Sequence, residues 1–271
     1  MPENYLEDVK RLARTAGQAI LAIYNNGQFE QYTKDDTSPV TSADYVSNEV
    51  LMNGLKSLTP DIPVISEETP ASSLAERKQW QRYWLLDPLD GTQEFIAKSG
   101  DFAVNIALVE NGWPVLGVIY WPTQDVTYFA TKGQGAFKQC PKGTVQISVA
   151  RHIKDFRVAV SRVQKRELVT QYINDDVELS FIQLGSCSLK NCFVAEGKAD
   201  CYLRVGPTGE WDTGASHVIV EEAGGKIIDS EFKSLSYNRR ETLGNPDFMA
   251  LGDQTIDWES MIKPHTTSRK L

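Results

Sequence analysis

Trp84-Leu85-Leu86-Asp87-Pro88-Leu89-Asp90-Gly91-Thr92 joins a short apolar run to two carboxylates three residues apart. Arg82 to Leu86 has the aromatic and aliphatic make-up of a buried strand, and Asp-Pro-x-Asp-Gly carries the turn chemistry that ends one. Both acids are therefore expected at a strand tip. Unpaired carboxylates at the mouth of a packed core are costly to desolvate, and a bound cation is one of few ways to offset that. Carboxylate oxygens are hard ligands, which favours magnesium. An ordinary β-turn accounts for the same residues locally, because Asp, Pro and Gly are common turn formers.

Two other stretches supply further acids. Ile62-Pro63-Val64-Ile65 reads as a second short strand, and after Ser66 it ends in Glu67 and Glu68. Far downstream, Trp211, Ala215, Val218, Ile219 and Ala223 recur at helical spacing until Gly224-Gly225 closes the segment. Asp212 then falls in the first helical turn, where capping or the helix dipole also explains an acid.

Composition narrows the class of function. The 271 residues carry 36 acidic and 28 basic side chains, a formal charge of -8, which disfavours non-specific binding to nucleic acid or an anionic membrane. A hydrophobic content of 41% is enough for a substantial core. Only three histidines occur, His152, His217 and His265, so an imidazole-based metal site or a His-centred triad has little scope. The four cysteines, Cys140, Cys187, Cys192 and Cys201, lack Cys-x-x-Cys spacing and read as reduced structural thiols. The N-terminus has no secretory pattern and no apolar run reaches transmembrane length, so a cytoplasmic setting is expected.

Along the chain, Leu6, Val9, Leu12, Ala13, Ala16, Ala19, Ile20 and Ile23 form a helical stripe closed by Gly27, and Val46, Val50, Leu51, Leu55 and Leu58 form a second. Residues 103–108, 115–121 and 126–130 read as a strand meander punctuated by Asn111-Gly112 and Pro122. Beyond Gly133 and Gly135, strands near 157–160, 178–182 and 200–203 alternate with helices near 164–173 and 188–196. The expected organisation is an α+β lobe over 1–143 carrying most of the acids and an α/β lobe over 144–271 carrying Asp212, with a loosely ordered tail beyond Lys263.

An acidic pair after a strand, an Asp-Pro-Leu-Asp-Gly-Thr turn and a late Trp-Asp helix start, in this order, resemble the lithium-sensitive, magnesium-dependent phosphatases of the inositol monophosphatase superfamily. The likeness spans about Lys34 to Asp247. Within that superfamily, Gly91 to Ile96, Phe102 to Leu108, Leu184 to Lys190, Val194 to Gly197 and Gly206-Pro207-Thr208 are similar to the 3'(2'),5'-bisphosphate nucleotidases of the CysQ type. The resemblance implies an α/β (α+β) fold, a layered α-β-α-β-α sandwich of the inositol monophosphatase and sugar phosphatase type.

The same resemblance implies site roles. The metal ligands would be Glu67, Asp87, Asp90, Asp212 and the backbone carbonyl of Leu89, holding two or three Mg2+ ions with Asp87 bridging two. Paired cations about 3.5–4 Å apart can hold both the attacking and the leaving oxygen of an in-line displacement. Thr92 would orient the attacking water and Asp44, in Thr41-Ser42-Ala43-Asp44, would polarise the Thr92 hydroxyl. Gly91, Thr92 and Asp212 would also meet the substrate, with Lys190 and Arg204, and beside them Arg162 and Tyr202, as candidates in the second lobe. Two departures from the CysQ pattern stand out: Gln93 replaces the Lys common after Gly-Thr, and Val163-Gln164 replaces the Ser-His common after Ser161-Arg162.

The activity so implied is removal of the 3'-phosphate of adenosine 3',5'-bisphosphate to give AMP and phosphate, with the sulfated analogue, 3'-phosphoadenylyl sulfate, as a further substrate and sulfur metabolism as the setting. The partner is a small phosphorylated molecule rather than nucleic acid. An inositol- or sugar-phosphate phosphatase with the same metal site is the alternative, and a non-catalytic nucleotide sensor a third reading. A homodimer and a peripheral position on the inner face of the cell membrane are compatible with all three.

Overall fold

The computed structural model describes residues 1–34, 38–151, 155–162, 167–174 and 177–263. His152, His265, Val163-Gln164 and the tail beyond Lys263 lie outside them. After a 3-10 turn at Pro2–Tyr5, helix α1 (Leu6–Asn26) runs to Gly27, whose φ of 71° supplies the left-handed cap. Strands β1 (Gln31–Thr33) and β2 (Pro39–Thr41) pair antiparallel. Helix α2 (Ser42–Leu58) starts from a capping box, in which Thr41 accepts from the Ala43 amide and Asp44 reaches back to the Thr41 backbone.

A seven-stranded sheet follows: β3 (Val64–Ser66), β4 (Arg82–Asp90), β5 (Ala103–Glu110), β6 (Trp113–Trp121), β7 (Val126–Thr131), β8 (Ala136–Cys140) and β9 (Gly143–Ile147), with α3 (Leu74–Arg77) and α4 (Thr92–Ile96) flanking β4. Its strands lie in sequence order, β3 parallel to β4 and every later pair antiparallel. The remainder comprises β10 (Phe156–Val160), α5 (Glu167–Thr170), β11 (Leu179–Gln183), α6 (Cys187–Ala195), β12 (Cys201–Arg204), α7 (Trp211–Glu222), β13 (Lys226–Asp229), β14 (Phe248–Leu251) and α8 (Trp258–Met261). These strands form a five-stranded sheet of order β11-β10-β12-β14-β13.

Three buried clusters define the layers. Val9, Ala16, Ile20, Leu51 and Leu55 from α1 and α2 pack on Trp84, Leu86, Ile106 and Val118 of the large sheet. The opposite face of that sheet, with Leu85, Ala107 and Ile119, meets α6 and α7 through Leu189, Ala215 and Ile219, and these in turn cover Ala159, Tyr202 and Ala250 of the small sheet. Phe156, Leu203 and Met249 face outward beneath Val169 and Trp258. This is the expected α-β-α-β-α order. Helix α7 lies between two sheets, so Thr213 through Val220 are all buried, and the polar Thr213, Ser216 and His217 among them are hydrogen-bonded.

Two local expectations change. Val46 is 38% exposed, because the buried face of α2 runs through Ala43, Ser47, Leu51 and Leu55. Ser47 holds its inward place by donating 2.7 Å to the Pro88 carbonyl, a polar contact that apolar periodicity does not register. Second, Asp87-Pro88-Leu89-Asp90 is not a turn ending a strand at Leu86. Strand β4 continues to Asp90 with a register shift between Asp87 and Asp90, a bulge that accommodates a proline lacking an N–H.

Gly117 marks where β6 meets α7: a Cβ there would lie 2.2 Å from the Ala215 carbonyl oxygen. Gly117→Ala must push helix and sheet apart, and is expected to cost about 1–3 kcal/mol, read as a fall in the chemical-denaturation midpoint.

Candidate metal and phosphate site

The parallel register of β3 on β4, with Ser66 opposite Leu86 and the Glu67 amide donating 3.2 Å to the Leu86 carbonyl, brings Glu67 beside Asp87. Three residues on, the bulge turns Asp90 to the same side, while the first turn of α7 delivers Asp212 across the sheet. Carboxylate oxygens of Asp87, Asp90 and Asp212 lie within 4.8 Å of one another. Glu67, Asp87, Leu89, Asp90, Gly91, Thr92 and Asp212 line one cleft of about 590 Å³, together with Gln93, Thr208 and Trp211.

The three clustered carboxylates have different partners. Asp90 accepts from the Ser186 hydroxyl at 2.6 Å, the Cys187 amide at 3.0 Å, the Ser188 amide at 2.7 Å and the Ser188 hydroxyl at 2.5 Å, all at the start of α6. Asp212 accepts from the Gly209 amide at 2.6 Å. Asp87 Oδ1 accepts from the Leu89 amide at 3.0 Å, while its buried Oδ2 receives no donor among the described residues and the carboxyl lies against that of Glu67. Burial, reinforced by the charges of Glu67 and Asp90, raises the Asp87 carboxyl well above the usual range, and burial with Asp90 and Glu67 does the same to Asp212. An orphaned carboxylate oxygen among repelling acids fits a hard divalent cation.

Lys34 is a site residue that sequence reasoning misses. Its ammonium lies 2.8 Å from Glu67 and 2.7 Å from Glu68. Burial alone would lower its pKa, but the two carboxylates more than reverse this and raise it. Burial in turn raises Glu68 to about 7 despite the Lys34 hydrogen bond. No local pattern links a residue after β1 to two acids more than thirty positions away.

Thr92 opens α4 behind Gly91, whose φ of 100° and close approach to the Asp101 carbonyl suit glycine. The Thr92 hydroxyl donates 2.9 Å to Asp44 Oδ1 and lies 3.3 Å from the Leu89 carbonyl. Asp44 Oδ2 accepts from the Thr41 amide at 2.8 Å and hydroxyl at 2.7 Å, so the same capping box that starts α2 orients the acid beneath Thr92. Burial raises the Asp44 carboxyl, opposed by these hydrogen bonds.

An adjoining cleft of about 430 Å³ shares Asp90, Gly91, Thr92 and Asp212 and adds Ser161, Cys187, Lys190, Tyr202 and Arg204. Lys190 is 3% exposed, and its ammonium donates to the carbonyls of Gly185 at 2.7 Å, Ser186 at 2.6 Å and Leu184 at 3.4 Å. Three donors are thereby directed at the backbone, and Lys190 holds the loop before α6. The Tyr202 ring is fully buried against Phe248, which leaves no open face for stacking. Arg204 donates 2.9 Å to the Pro207 carbonyl, and its buried Nε has no partner among the described residues. Arg162 is paired with Asp101 and, at 3.4 Å, with Glu94. The Ser186 and Ser188 hydroxyls that hold Asp90 carry a partial sequence signal, since a Ser before an apolar helix reads as an N-cap.

A family model described as the inositol monophosphatase family matches residues 1–256. The 3'(2'),5'-bisphosphate nucleotidase CysQ of Salmonella typhimurium is 46% identical over 244 residues, covering 90% of this chain and 98% of that protein. The Haemophilus influenzae protein of the same name is 41% identical over 263 residues, 96% of this chain and 97% of that one. Among solved structures, CysQ from Bacteroides thetaiotaomicron superposes with a TM-score of 0.81 at 35% identity, covering 94% of this chain and 98% of that chain. An IMPase of Thermotoga maritima shares the fold, with a TM-score of 0.73 and 23% identity over 90% of each chain. The chain belongs to the inositol monophosphatase family.

Proposed function

We propose that the protein is a magnesium-dependent phosphatase that hydrolyses the 3'-phosphate of adenosine 3',5'-bisphosphate to AMP and phosphate. The observation that carries the reading is the Asp87, Asp90 and Asp212 cluster in one cleft with the Thr92–Asp44 pair. The names of the relatives at 41–46% identity support the substrate class. Glu67, Asp87, Asp90, Asp212 and the Leu89 carbonyl would hold two or three Mg2+ ions. Bound Mg2+ would supply charge stabilisation for the attacking and departing oxygens of an in-line displacement.

The protein's own groups do the rest. Thr92 donates its hydroxyl proton toward Asp44 Oδ1, which turns the lone pairs of Thr92 Oγ1 to a water in the cleft. Asp44 is held by Thr41 through its other oxygen, so it accepts that proton without turning away. As the water attacks phosphorus and the P–O3' bond breaks, the water's proton passes to Thr92 Oγ1 and the threonine proton to Asp44, while the departing 3'-oxygen takes a proton from solvent. Gly91 lets the backbone at the start of α4 approach the phosphate. Arg204 and Ser161, which line the adjoining cleft, would meet the remainder of the substrate, whereas Lys190 would act by shaping the loop that lines it. Residues 1–143 would then carry most metal ligands and 144–271 the surface that selects the substrate.

Parallel assays of phosphate release with Mg2+ from adenosine 3',5'-bisphosphate, inositol 1-phosphate and fructose 1,6-bisphosphate test the reading. Preference for the nucleotide, abolished in Asp90→Asn, is expected; preference for an inositol or sugar phosphate would keep the metal chemistry and sink the substrate, and no turnover would favour a sensor. Thr92→Ala should lower kcat by about 10²–10⁴-fold while changing KM little.

Mg2+ should raise the melting temperature of the metal-free protein. Asp87 and Asp212 are pushed upward, so protons compete with the cation as the pH falls. The shift in melting temperature at fixed Mg2+ should therefore begin to shrink on acidification at a pH above the ordinary carboxylate range. A shift that grows on acidification would contradict carboxylate ligation.

A further inference from the structure

Asn105 lies in the middle of β5 with 1% of its surface exposed, and among the described residues neither Oδ1 nor Nδ2 of its amide has a hydrogen-bond partner. An unpaired buried amide is costly, and in native folds such a group marks bound water, an ion or a functional demand. The sheet register shows where this one looks. Asn105 is the direct partner of Asp87 across the β4/β5 ladder, and paired Cβ atoms in such a ladder are about 4.5–5.5 Å apart. Leu86, Val104 and Ile106 point toward α1 and α2, whereas Leu85, Ala103 and Ala107 point toward α7. By alternation, Asn105 and Asp87 share the α7 side, where Asp212 resides.

Asp87 has its own orphan there, Oδ2. Three buried polar atoms without partners therefore belong to two side chains at facing positions. We infer that Asn105 is a positioning residue for Asp87, holding the carboxylate in the orientation a cation requires through one buried water. A single water accepts from Asn105 Nδ2 and donates to Asn105 Oδ1 and to one lone pair of Asp87 Oδ2, so each of the three atoms has a partner and the other lone pair of Oδ2 is left for the cation.

The chemistry explains why an amide stands here. Lysine at this position would put a fixed positive charge where the cation belongs, and aspartate would add another repelling acid to the cluster. The amide donates without either effect. Groups that orient a metal-ligating carboxylate commonly influence metal affinity by about 10–100-fold.

The inference rests on Asp87 being a metal ligand, and the test separates the two. Asn105→Leu, of similar volume and without polar atoms, and Asn105→Ser, which retains a donor and an acceptor, are compared with the wild-type full chain. The readouts are the Mg2+ dissociation constant by calorimetry and the melting temperature without metal. The leucine variant should melt at or above the wild-type temperature, having lost two orphaned groups, while its Mg2+ dissociation constant rises by about tenfold or more. The serine variant should fall between.

A leucine variant with wild-type Mg2+ affinity overturns the inference. So does a loss of affinity that merely tracks a fall in metal-free melting temperature in both variants, which would make Asn105 a packing residue. Wild-type protein that binds no Mg2+ would instead overturn the assignment of Asp87 as a ligand. Where leucine does not fit, Asn105→Ala puts the same question to the same two readouts.

Discussion

The architecture depends on burying several carboxylates together between its two sheets. Two like charges 4 Å apart repel by about 4 kcal/mol at an effective dielectric of 20, and each also resists leaving water. Within the chain, the offsetting groups are mostly backbone amides. Leu89 in the β4 bulge serves Asp87, Cys187 and Ser188 at the start of α6 serve Asp90, and Gly209 ahead of α7 serves Asp212. Each donor is presented by a break in regular structure, where peptide N–H groups are not taken up by a ladder or a helical turn. The bulge, the loop before α6 and the loop before α7 thus have a common physical purpose.

Donors are shared unequally, and the inequality divides the work. Asp90 receives two amides and two hydroxyls from α6, which fastens the large sheet to the central helical layer at the cleft. Behind it, Lys190 gathers the carbonyls of Leu184, Gly185 and Ser186, so the loop that delivers those donors is itself braced from within. Gly185 is needed for closeness: a Cβ there would lie 2.5 Å from Glu94 and 2.6 Å from Asp101. The loop that lines the adjoining cleft and the Asp90 carboxylate are parts of one hydrogen-bonded unit.

Much of this was legible in the sequence because it rests on short-range rules. A run of apolar residues ending in Asp-Pro-Leu-Asp-Gly-Thr places Asp87, Asp90 and Thr92 together whatever the rest of the chain does, and Gly27 closes α1 by local conformation alone. What escaped reading depends on partners distant in the chain. The inward turn of Ser47 is set by Pro88, 41 residues away, and Lys34 by Glu67, 33 residues away. Tyr202 and Lys190 misled for the opposite reason. A tyrosine and a lysine near a nucleotide cleft suggest a stacking surface and a free cation, but placement between two sheets makes the first a core residue and the second a backbone clamp.

The position of Lys34 also locates the cation that the cluster calls for. Its ammonium compensates Glu67 and Glu68 at the rim of the cleft. Among the described residues, Asp90 is compensated by four donors, Asp212 accepts from the Gly209 amide, and one oxygen of Asp87 accepts from none. The uncovered negative charge therefore sits between Asp87 and Asp212, the two carboxyls that burial and mutual repulsion raise well above their ordinary range. A second lysine there would have neutralised the cluster and closed it. By covering Glu67 and Glu68 with an ammonium and leaving Asp87 and Asp212 with few donors, the chain leaves a negative centre that fits a divalent ion, in the cleft that Thr92 also lines.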